Sequence, residues 1–491
     1  MILNKQNKNR AKKFFHKIID MGLEFKLKDQ IIDKYLPVEK GKKMITNMPV
    51  KGMPVEKVLR EFEKNILPYC TNFCSSNFMG FPDSCNSVAS IGGSLLYNFI
   101  QQNLINQSFC APSASFTEIA VIRWLREIVG YKNKPSNLIN DIWDVGGVIT
   151  PGGTSSNAIG ILMARENKFP GTMEHGVADP NKCQVVVPKA ISHYSVKSGQ
   201  MWAGCGNKLI EVETKDFRYD LSDLKKKLEK NKSKVMCVVA YAGDSRTMTV
   251  DYFDKIYKIV KAIDSGIWLH ADACHGFSLG LSDKLKYKLK GLEQFDSVTA
   301  DPHKVFMTPY VISALLIKDP KKIKTVASLS DLIMQEPFAF GQATPFLGSK
   351  SWQSLKLWFL IKNLGKEKMG RIIEARHNLA KYLAERLSRD DDFLLINKAD
   401  MNSVVFLYTG QTGVDNLARL NEINKKIHDL MLREGKYHLH QFSLSDAGAI
   451  KKGTIIYPQR FMCGNPNTTK EDVKQMMEYV RKIGRKCEKS I

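Results

Sequence analysis

The sequence predicts an α/β fold built on a mostly parallel central sheet, and three observations predict it. Seven short apolar, β-branched runs lie between Gly146 and Ile317. Helix-length segments separate several of them, which is the alternation of βαβ units. The runs are continuously apolar, as strands covered on both faces are.

The elements follow in chain order. From Met1 to about Cys110, helical stretches are broken by Pro, Gly and Asn. In Lys12–Met21 the residues Phe14, Phe15, Ile18 and Ile19 share one face, with Lys on the other. That pattern suits a docking or surface helix, and would also let it lie on a membrane. The seven runs are Gly147–Thr150, Gln184–Pro188, Lys208–Val212, Val235–Tyr241, Ile267–Asp272, Ser297–Ala300 and Tyr310–Ile317. Ser155–Lys168, Leu221–Lys230 and Asp251–Ala262 read as helices between them. A long helical stretch follows from about Trp352 to Leu387. Then come a strand Ser403–Tyr408, a helix Asp415–Glu434, strands near Tyr437–Phe442 and Thr454–Tyr457, and a last helix Thr469–Ile483. This mixture predicts a smaller α+β unit at the C-terminal end.

Composition narrows the function. The 491 residues are 43% hydrophobic and 25% charged, which excludes a disordered or fibrous chain. No apolar run approaches the ~18 residues of a membrane span. The first residues are polar and basic, without the apolar core of a secretory signal. Ten scattered cysteines with no CxxC pair predict free thiols, a cytoplasmic location and no structural zinc. The formal charge of +23 would permit a nucleic acid, an anionic membrane or an acidic ligand as partner. The longest basic block is only Lys225-Lys226-Lys227, so a solvated lysine-rich surface accounts for the excess.

In such sheets ligands sit beyond the carboxyl ends of the strands. The first strand ends in Pro151-Gly152-Gly153-Thr154-Ser155-Ser156-Asn157, where glycines allow a tight turn and a helix start offers free N–H groups. This is a phosphate cradle or a plain strand-to-helix turn; no Gly-Lys-Ser/Thr follows to make it a P-loop. The second strand leads to His193-Tyr194-Ser195-Val196-Lys197, where His193 is a stacking imidazole or a structural one. His270-Ala271-Asp272-Ala273 ends another strand. A buried carboxylate there needs a cation or donor, so Asp272 is a partner for a protonated ring nitrogen, an N-cap or half of a salt bridge. Asp301-Pro302-His303-Lys304 ends a fourth strand. Desolvated near other cations, Lys304 would lose proton affinity and become a nucleophile toward carbonyls; otherwise it is a solvated loop lysine. A cradle, a stacking His, a ring-nitrogen Asp and a Schiff-base Lys are together what pyridoxal 5'-phosphate (PLP) needs.

With these residues, and with Leu355-Lys356-Leu357-Trp358, Arg460-Phe461 and Asn465-Pro466, the chain resembles the group II PLP-dependent amino-acid decarboxylases. The motifs stand in that family's order and spacing over most of the chain. The resemblance implies an α/β PLP-dependent transferase fold of type I, aspartate-aminotransferase-like, with a mostly parallel central sheet and a small α+β C-terminal domain. It implies a dimer-forming helical segment over 1–110, a PLP-binding domain over 111–370 and the small domain over 371–491. It also implies decarboxylation of an L-amino acid to an amine and CO2 through a Schiff base on Lys304. In this reading Asp272 keeps the pyridine nitrogen protonated and His193 stacks on the ring. Gly153, Thr154 and His303 contact the phosphate, and Ala273 lets the ring lie flat. Asn77-Phe78-Met79-Gly80-Phe81-Pro82 and Ser108-Phe109-Cys110 resemble cleft-lining segments, so Phe81, Pro82 and Phe109 are candidate substrate contacts. Arg460 is the candidate anion-binding group, with a domain-packing salt bridge as its alternative. The implied partners are a small L-amino acid and a second copy of the chain sharing the cleft, with no nucleic acid, membrane or metal.

Three departures stand out. The family's Ala-Gly-Thr-Thr is here Ala242-Gly243-Asp244-Ser245. Cys274 and His275 follow Ala273, the latter a substrate-sensing group or a packed loop residue. Between Tyr310 and Tyr382 there is no Tyr, whereas the family typically places one on a loop corresponding to Ser328–Phe338 to protonate the substrate carbon. That absence keeps oxidative decarboxylation–deamination to an aldehyde as an alternative. A basic binding protein with a retired site is a remote third reading, against which Lys304 and Asp272 speak.

Overall fold

Seven strands form the central sheet. Their order from one edge is Gly147–Thr150, Ser313–Ile317, Ser297–Ala300, Trp268–Asp272, Val235–Tyr241, Gln184–Pro188 and Ile210–Val212. The computed structural model describes residues 2–82, 85–328, 337–343 and 348–490. All pairings are parallel except those of Ser313–Ile317, which runs antiparallel to both neighbours. The return from Ala300 to Ser313 contains one short helix, Pro302–Val305, too little chain for a crossover, so the strand comes back antiparallel.

The sheet is the core because its inner strands are buried on both faces. Val235–Tyr241 is buried at every position, and the helix Gly153–Lys168 is buried from Ser156 through Arg165. That helix lies between the sheet and the helix Tyr194–Trp202, which leaves no room for a charged stripe. At Gly160 an added Cβ would lie 2.7 Å from the His270 ring, so a glycine sets how closely helix and sheet approach.

A second sheet follows, ordered Phe393–Leu395, Ser403–Tyr408, Gln459–Met462 and His440–Gln441. It packs against the helices Leu417–Glu434 and Lys470–Glu488. The last helix opens on a capping box between Thr469 and Asp472, which satisfies its first donors reciprocally. The N-terminal region is not only helical. Phe78 bridges to His438, Met79 donates its N–H to the His438 carbonyl at 2.9 Å, and Met462 donates to Met79 at 2.6 Å. The chain near Phe81 is thus stitched to the second sheet.

The structure differs from the sequence expectations in a few places. The final strand of the central sheet begins at Ser313 rather than Tyr310, because the carbonyls of Pro309, Tyr310 and Val311 bond to Lys356 instead of a strand. The long helix Leu355–Leu387 breaks at Gly365, whose φ is +67°. Phe393–Leu395 and Gln459–Met462 were not expected as strands; Gln459 and Arg460 interrupt the apolar pattern although both are buried. The amphipathic N-terminal helix spans Lys8–Lys26 and buries only Ala11. Among the described residues no helix is long and apolar enough to cross a membrane.

Candidate active site

Four strand ends and one helix start converge at the carboxyl edge of the central sheet. The first strand turns at Gly152, whose φ of +122° is open to glycine. At Gly153 an added Cβ would sit 2.7 Å from both Asp301 Oδ2 and Cys274 Sγ, so only a hydrogen fits. The N–H groups of Ser155 and Ser156 fold back to the Gly152 carbonyl at 3.1 and 3.3 Å. Those of Gly153 and Thr154 find no partner among the described residues and carry the positive end of a 16-residue helix. His303 follows Asp301 at the same end. Its Nδ1 donates to the Ile312 carbonyl at 2.7 Å, which leaves Nε2 for a ligand. Burial lowers its proton affinity, and Asp301 pulls the other way.

Asp272 ends the strand Trp268–Asp272 and is nearly buried. Its Oδ2 accepts from Asn157 Nδ2 at 2.9 Å and its Oδ1 from the Cys274 N–H at 3.3 Å. Behind it runs a chain of buried polar groups. Trp268 Nε1 donates to Ser297 Oγ at 2.8 Å, and Ser297 Oγ meets His270 Nδ1 at 2.7 Å. His270 Nε2 meets Asn157 Oδ1 at 3.0 Å. Because Asn157 must present its amide to Asp272, its oxygen must accept. His270 therefore carries its proton on Nε2, Nδ1 accepts from Ser297, and every donor points toward Asp272. Burial pushes His270 down to about 4, against the pull of Asp272, so the ring is neutral as this pattern requires.

Asn157 also donates to Ser195 Oγ at 2.8 Å, and Ser195 Oγ meets His193 Nδ1 at 2.6 Å. The Ser195 N–H points to the same nitrogen at 3.3 Å, and the His193 N–H donates to the Tyr241 hydroxyl at 3.0 Å. His193 is thus pinned at the start of the helix Tyr194–Trp202, with burial lowering its proton affinity. Asn157, Ser195 and His270 belong to the motifs read from sequence, but sequence reasoning gave them no role. The available signal was a lone Asn among buried apolar residues of the Gly153–Lys168 helix.

Lys304 Nζ stands 2.8 Å from Asp301 Oδ2. The other Asp301 oxygen accepts from Ser313 Oγ at 2.5 Å. Burial alone would lower the Lys304 ammonium, but the carboxylates of Asp301 and Asp272 outweigh it and hold it above the ordinary lysine range. Asp301 is buried too, and Lys304 holds it ionised, below the usual carboxylate range. This reverses the sequence expectation that neighbouring cations weaken the lysine's hold on its proton. Ala273 is wholly buried and donates its N–H to the Thr299 carbonyl at 3.1 Å.

A cleft of about 550 Å³ opens beside His193, lined by Phe81, Tyr194, Arg246, His440 and Arg460 among others. Phe81 packs on the His440 ring at 4.4 Å between centroids. Pro82 is buried and does not line the cleft, and Phe109 is 68% exposed and not brought to it. Arg460 is 3% exposed; it donates to the carbonyls of Ser245 and Gly80 and lies over the rings of Phe442 and Phe81 at 5.5 and 5.8 Å. Its Nε has no partner, and no carboxylate lies within ion-pair distance of it among the described residues. Burial pushes its guanidinium down to about 10. A packing salt bridge is therefore not what it makes. His275 is buried and hydrogen-bonded to Asn402 Oδ1 at 2.9 Å, a packed residue away from the cleft lining. Of the loop Ser328–Phe338, residues 329–336 lie outside the described residues.

The donor set fits PLP. Unpartnered N–H groups at Gly153 and Thr154 suit a phosphate, the fixed Asp272 carboxylate suits a protonated ring nitrogen, and a primary amine stands at Lys304. Comparison with known proteins agrees. The model of the pyridoxal-dependent decarboxylase conserved domain matches residues 37–409. An aromatic-L-amino-acid decarboxylase of Bacillus atrophaeus is 25% identical over 455 residues, covering 90% of this chain and 88% of the relative. The human cysteine sulfinic acid decarboxylase is 26% identical over 343 residues, covering 66% and 67%. The crystal structure of mouse CSAD superposes with a TM-score of 0.85 at 19% identity, over 97% of this chain and 99% of that one.

Proposed function

This chain belongs to the pyridoxal-dependent decarboxylase family and is a PLP-dependent amino-acid decarboxylase, and we propose that it converts a free L-amino acid to its primary amine and CO2 through a Schiff base on Lys304. The observation that carries the reading is the meeting of Lys304, Asp301, Asp272 and the Gly153 turn at one sheet edge.

When bound, PLP supplies an electron sink for the negative charge left at the substrate carbon. The protein's residues do the rest. Gly153, Thr154 and His303 hold the phosphate, and His303 must gain a proton at Nε2 to donate to it, since Nδ1 is committed to Ile312. Asp272, aimed by Asn157 and the Cys274 N–H, holds a proton on the ring nitrogen. The His193 ring, fixed by Ser195 and Tyr241, stacks beside it. Lys304 must lose a proton before Nζ can attack a carbonyl carbon, and Asp301 at 2.8 Å holds the ammonium in place until that loss. Arg460, solvated only by carbonyls and ring faces, has a free Nε–H to offer a substrate carboxylate. Phe81 forms part of the wall leading to it.

The active unit in this reading is a cytoplasmic homodimer, with the dimer-forming segment over 1–110, the cofactor domain over 111–370 and the small domain over 371–491. Leu95, Leu96, Phe99 and Ile100 on the helix Val88–Ile100, and Phe109 beyond it, are exposed apolar residues that a second copy would cover. Phe109 would then serve the partner's cleft. Sedimentation of the purified protein as a monomer would remove this part.

A second reading is favoured by the lack of Tyr between Tyr310 and Tyr382: the same scaffold releases an aldehyde and ammonia while consuming oxygen. Quantifying CO2, amine, aldehyde, ammonia and oxygen in one reaction separates the two. Amine equal to CO2 supports decarboxylation; aldehyde equal to CO2 with no amine overturns it.

A further inference from the structure

We propose that the cleft selects an amino acid carrying a second acidic group, and that Arg246 is the residue that grips it. The proposal rests on the decarboxylase reading above and names the substrate class of the same site.

The charge lining the cleft comes first. Arg246, Arg460 and Lys197 face it against a single carboxylate, Glu211. Arg246 is half-buried, and no Asp or Glu lies within ion-pair distance of it among the described residues. A guanidinium drawn partly out of water with no acid beside it is costly, and its fork of donors matches a carboxylate two bonds at a time. Arg460 is a second guanidinium outside any ion pair among the described residues, with the buried Asp244 carboxylate acting on it only at longer range. The Arg460 head is met by two carbonyls and keeps its Nε–H free, so it retains a donor for an anion.

The position of Arg246 is built by the chain's own departure from its family. Asp244 is fully buried and organises the turn after Gly243. It accepts the N–H groups of Arg246, Thr247 and Thr249, each at 2.8 Å, and the Thr247 hydroxyl. Asn397 Nδ2 anchors the Thr247 carbonyl at 2.7 Å. Gly243 has φ +87°, and an added Cβ would strike Met401 Sδ at 2.7 Å. The turn is thus held from both ends, and two groups leave it toward the cleft. The Ser245 carbonyl accepts from Arg460, and the next side chain is Arg246. Arg460 thus bonds to the residue next to Arg246, and both arginines line the same cleft. Arg246 and His193 line the same cleft; burial lowers the proton affinity of His193, Asp272 and Asp301 raise it, and Lys304 and Arg246 lower it further.

Two guanidinium groups lining one cleft, neither in an ion pair among the described residues, make the cleft positive. An amino acid with an acidic side chain brings two anions, one for each. A neutral or aromatic amino acid brings one and leaves a guanidinium unmatched. A cationic substrate adds a third positive charge. The selectivity therefore comes from repulsion as much as from attraction.

The test is a kinetic panel on the holoenzyme, following CO2 from aspartate, glutamate, cysteine sulfinate, their amides asparagine and glutamine, phenylalanine, tyrosine and lysine. The expected result is that the best acidic substrate exceeds its amide in kcat/KM by roughly tenfold to a hundredfold, the worth of one charge-assisted contact. Arg246→Gln should bring that ratio toward one, chiefly by raising KM for the acid, while Arg246→Lys keeps part of it. Cofactor absorbance in each variant reports that the site is intact. CO2 from neutral or aromatic amino acids in preference to acidic ones overturns the inference and leaves the decarboxylase reading standing. Equal loss of acid and amide turnover in Arg246→Gln also overturns it. Absence of CO2 from every amino acid overturns both.

Discussion

Asn157 Nδ2 lies 2.9 Å from Asp272 Oδ2 and 2.8 Å from Ser195 Oγ, so one buried amide aims both the acid and, through Ser195, the His193 ring. Removing it leaves the Asp272 carboxylate short of a donor and lets the ring turn. Asn157→Leu should weaken PLP binding by roughly tenfold to a hundredfold, the cost of an unpaired hydrogen bond to a charged group. Titrating PLP into apoprotein measures this. Asn157→Asp should be worse, because it sets a second carboxylate against Asp272. Unchanged affinity in both variants would refute the link.

His270 gives the network a pH dependence of definite sign. Its folded value is depressed by burial to about 4, from an ordinary ~6.5. A protonated ring would have to donate from Nδ1 as well as Nε2, against the direction of the chain. The folded state therefore binds fewer protons than the unfolded between these values, and stability present above pH ~6.5 is lost as pH falls through about 4. The loss is at most roughly 3 kcal/mol. Urea midpoints from pH 7 to 4 check it: His270→Gln, whose amide can still donate to Asn157, should fall less steeply than wild type.

The fold was legible because buried parallel strands announce themselves as short unbroken apolar runs, and the central-sheet strands begin within three residues of where those runs do. Two strands of the second sheet, Phe393–Leu395 and Gln459–Met462, were not; in the latter Gln459 and Arg460 look like loop residues until their burial is known. Lys304, Asp272, His193 and the Gly153 turn were legible from residue type at strand ends. What they touch was not. Arg460 bonds to carbonyls of residues 245 and 80, and a backbone partner leaves no mark in a sequence. Asn157 and His270 are 113 positions apart and meet only because the helix and strand pack face to face. Lys304 was expected among cations, whereas the fold sets Asp301, one helical turn earlier, directly against it.

That pairing predicts how the lysine behaves. Lys304→Ala should abolish the visible absorbance of the bound cofactor and all turnover; retained turnover would refute its role. Asp301→Asn is the more informative variant. Asp301 raises the proton affinity of Lys304, so its removal frees the amine at lower pH. In stopped-flow mixing with PLP, the rate of Schiff-base formation should then climb at a lower pH than in wild type. A rate profile that does not move would show that the ion pair has no hold on the amine.

Lys356 is wholly buried, and among the described residues no carboxylate lies beside it. Its Nζ donates to the carbonyls of Pro309, Tyr310 and Val311 at 3.1, 3.3 and 3.3 Å. The next carbonyl along, that of Ile312, is the one that accepts from His303 Nδ1. Lys356 therefore holds the segment whose next carbonyl fixes the His303 ring. Burial pushes its ammonium down to about 8, so it is charged at neutral pH and holds all three carbonyls there. Lys356→Met would leave those carbonyls unpaired and let the Pro309–Ile312 segment shift, at a stability cost of about 2–4 kcal/mol. A merely structural defect would weaken PLP and pyridoxal alike. If the lysine acts through His303, the variant should lose affinity for PLP, roughly tenfold, and keep that for pyridoxal, which lacks the phosphate. His303→Gln should give the same pattern, and combining the two should add little further, because both remove one contact. Equal losses for the two ligands would show that Lys356 supports the fold and not the phosphate site.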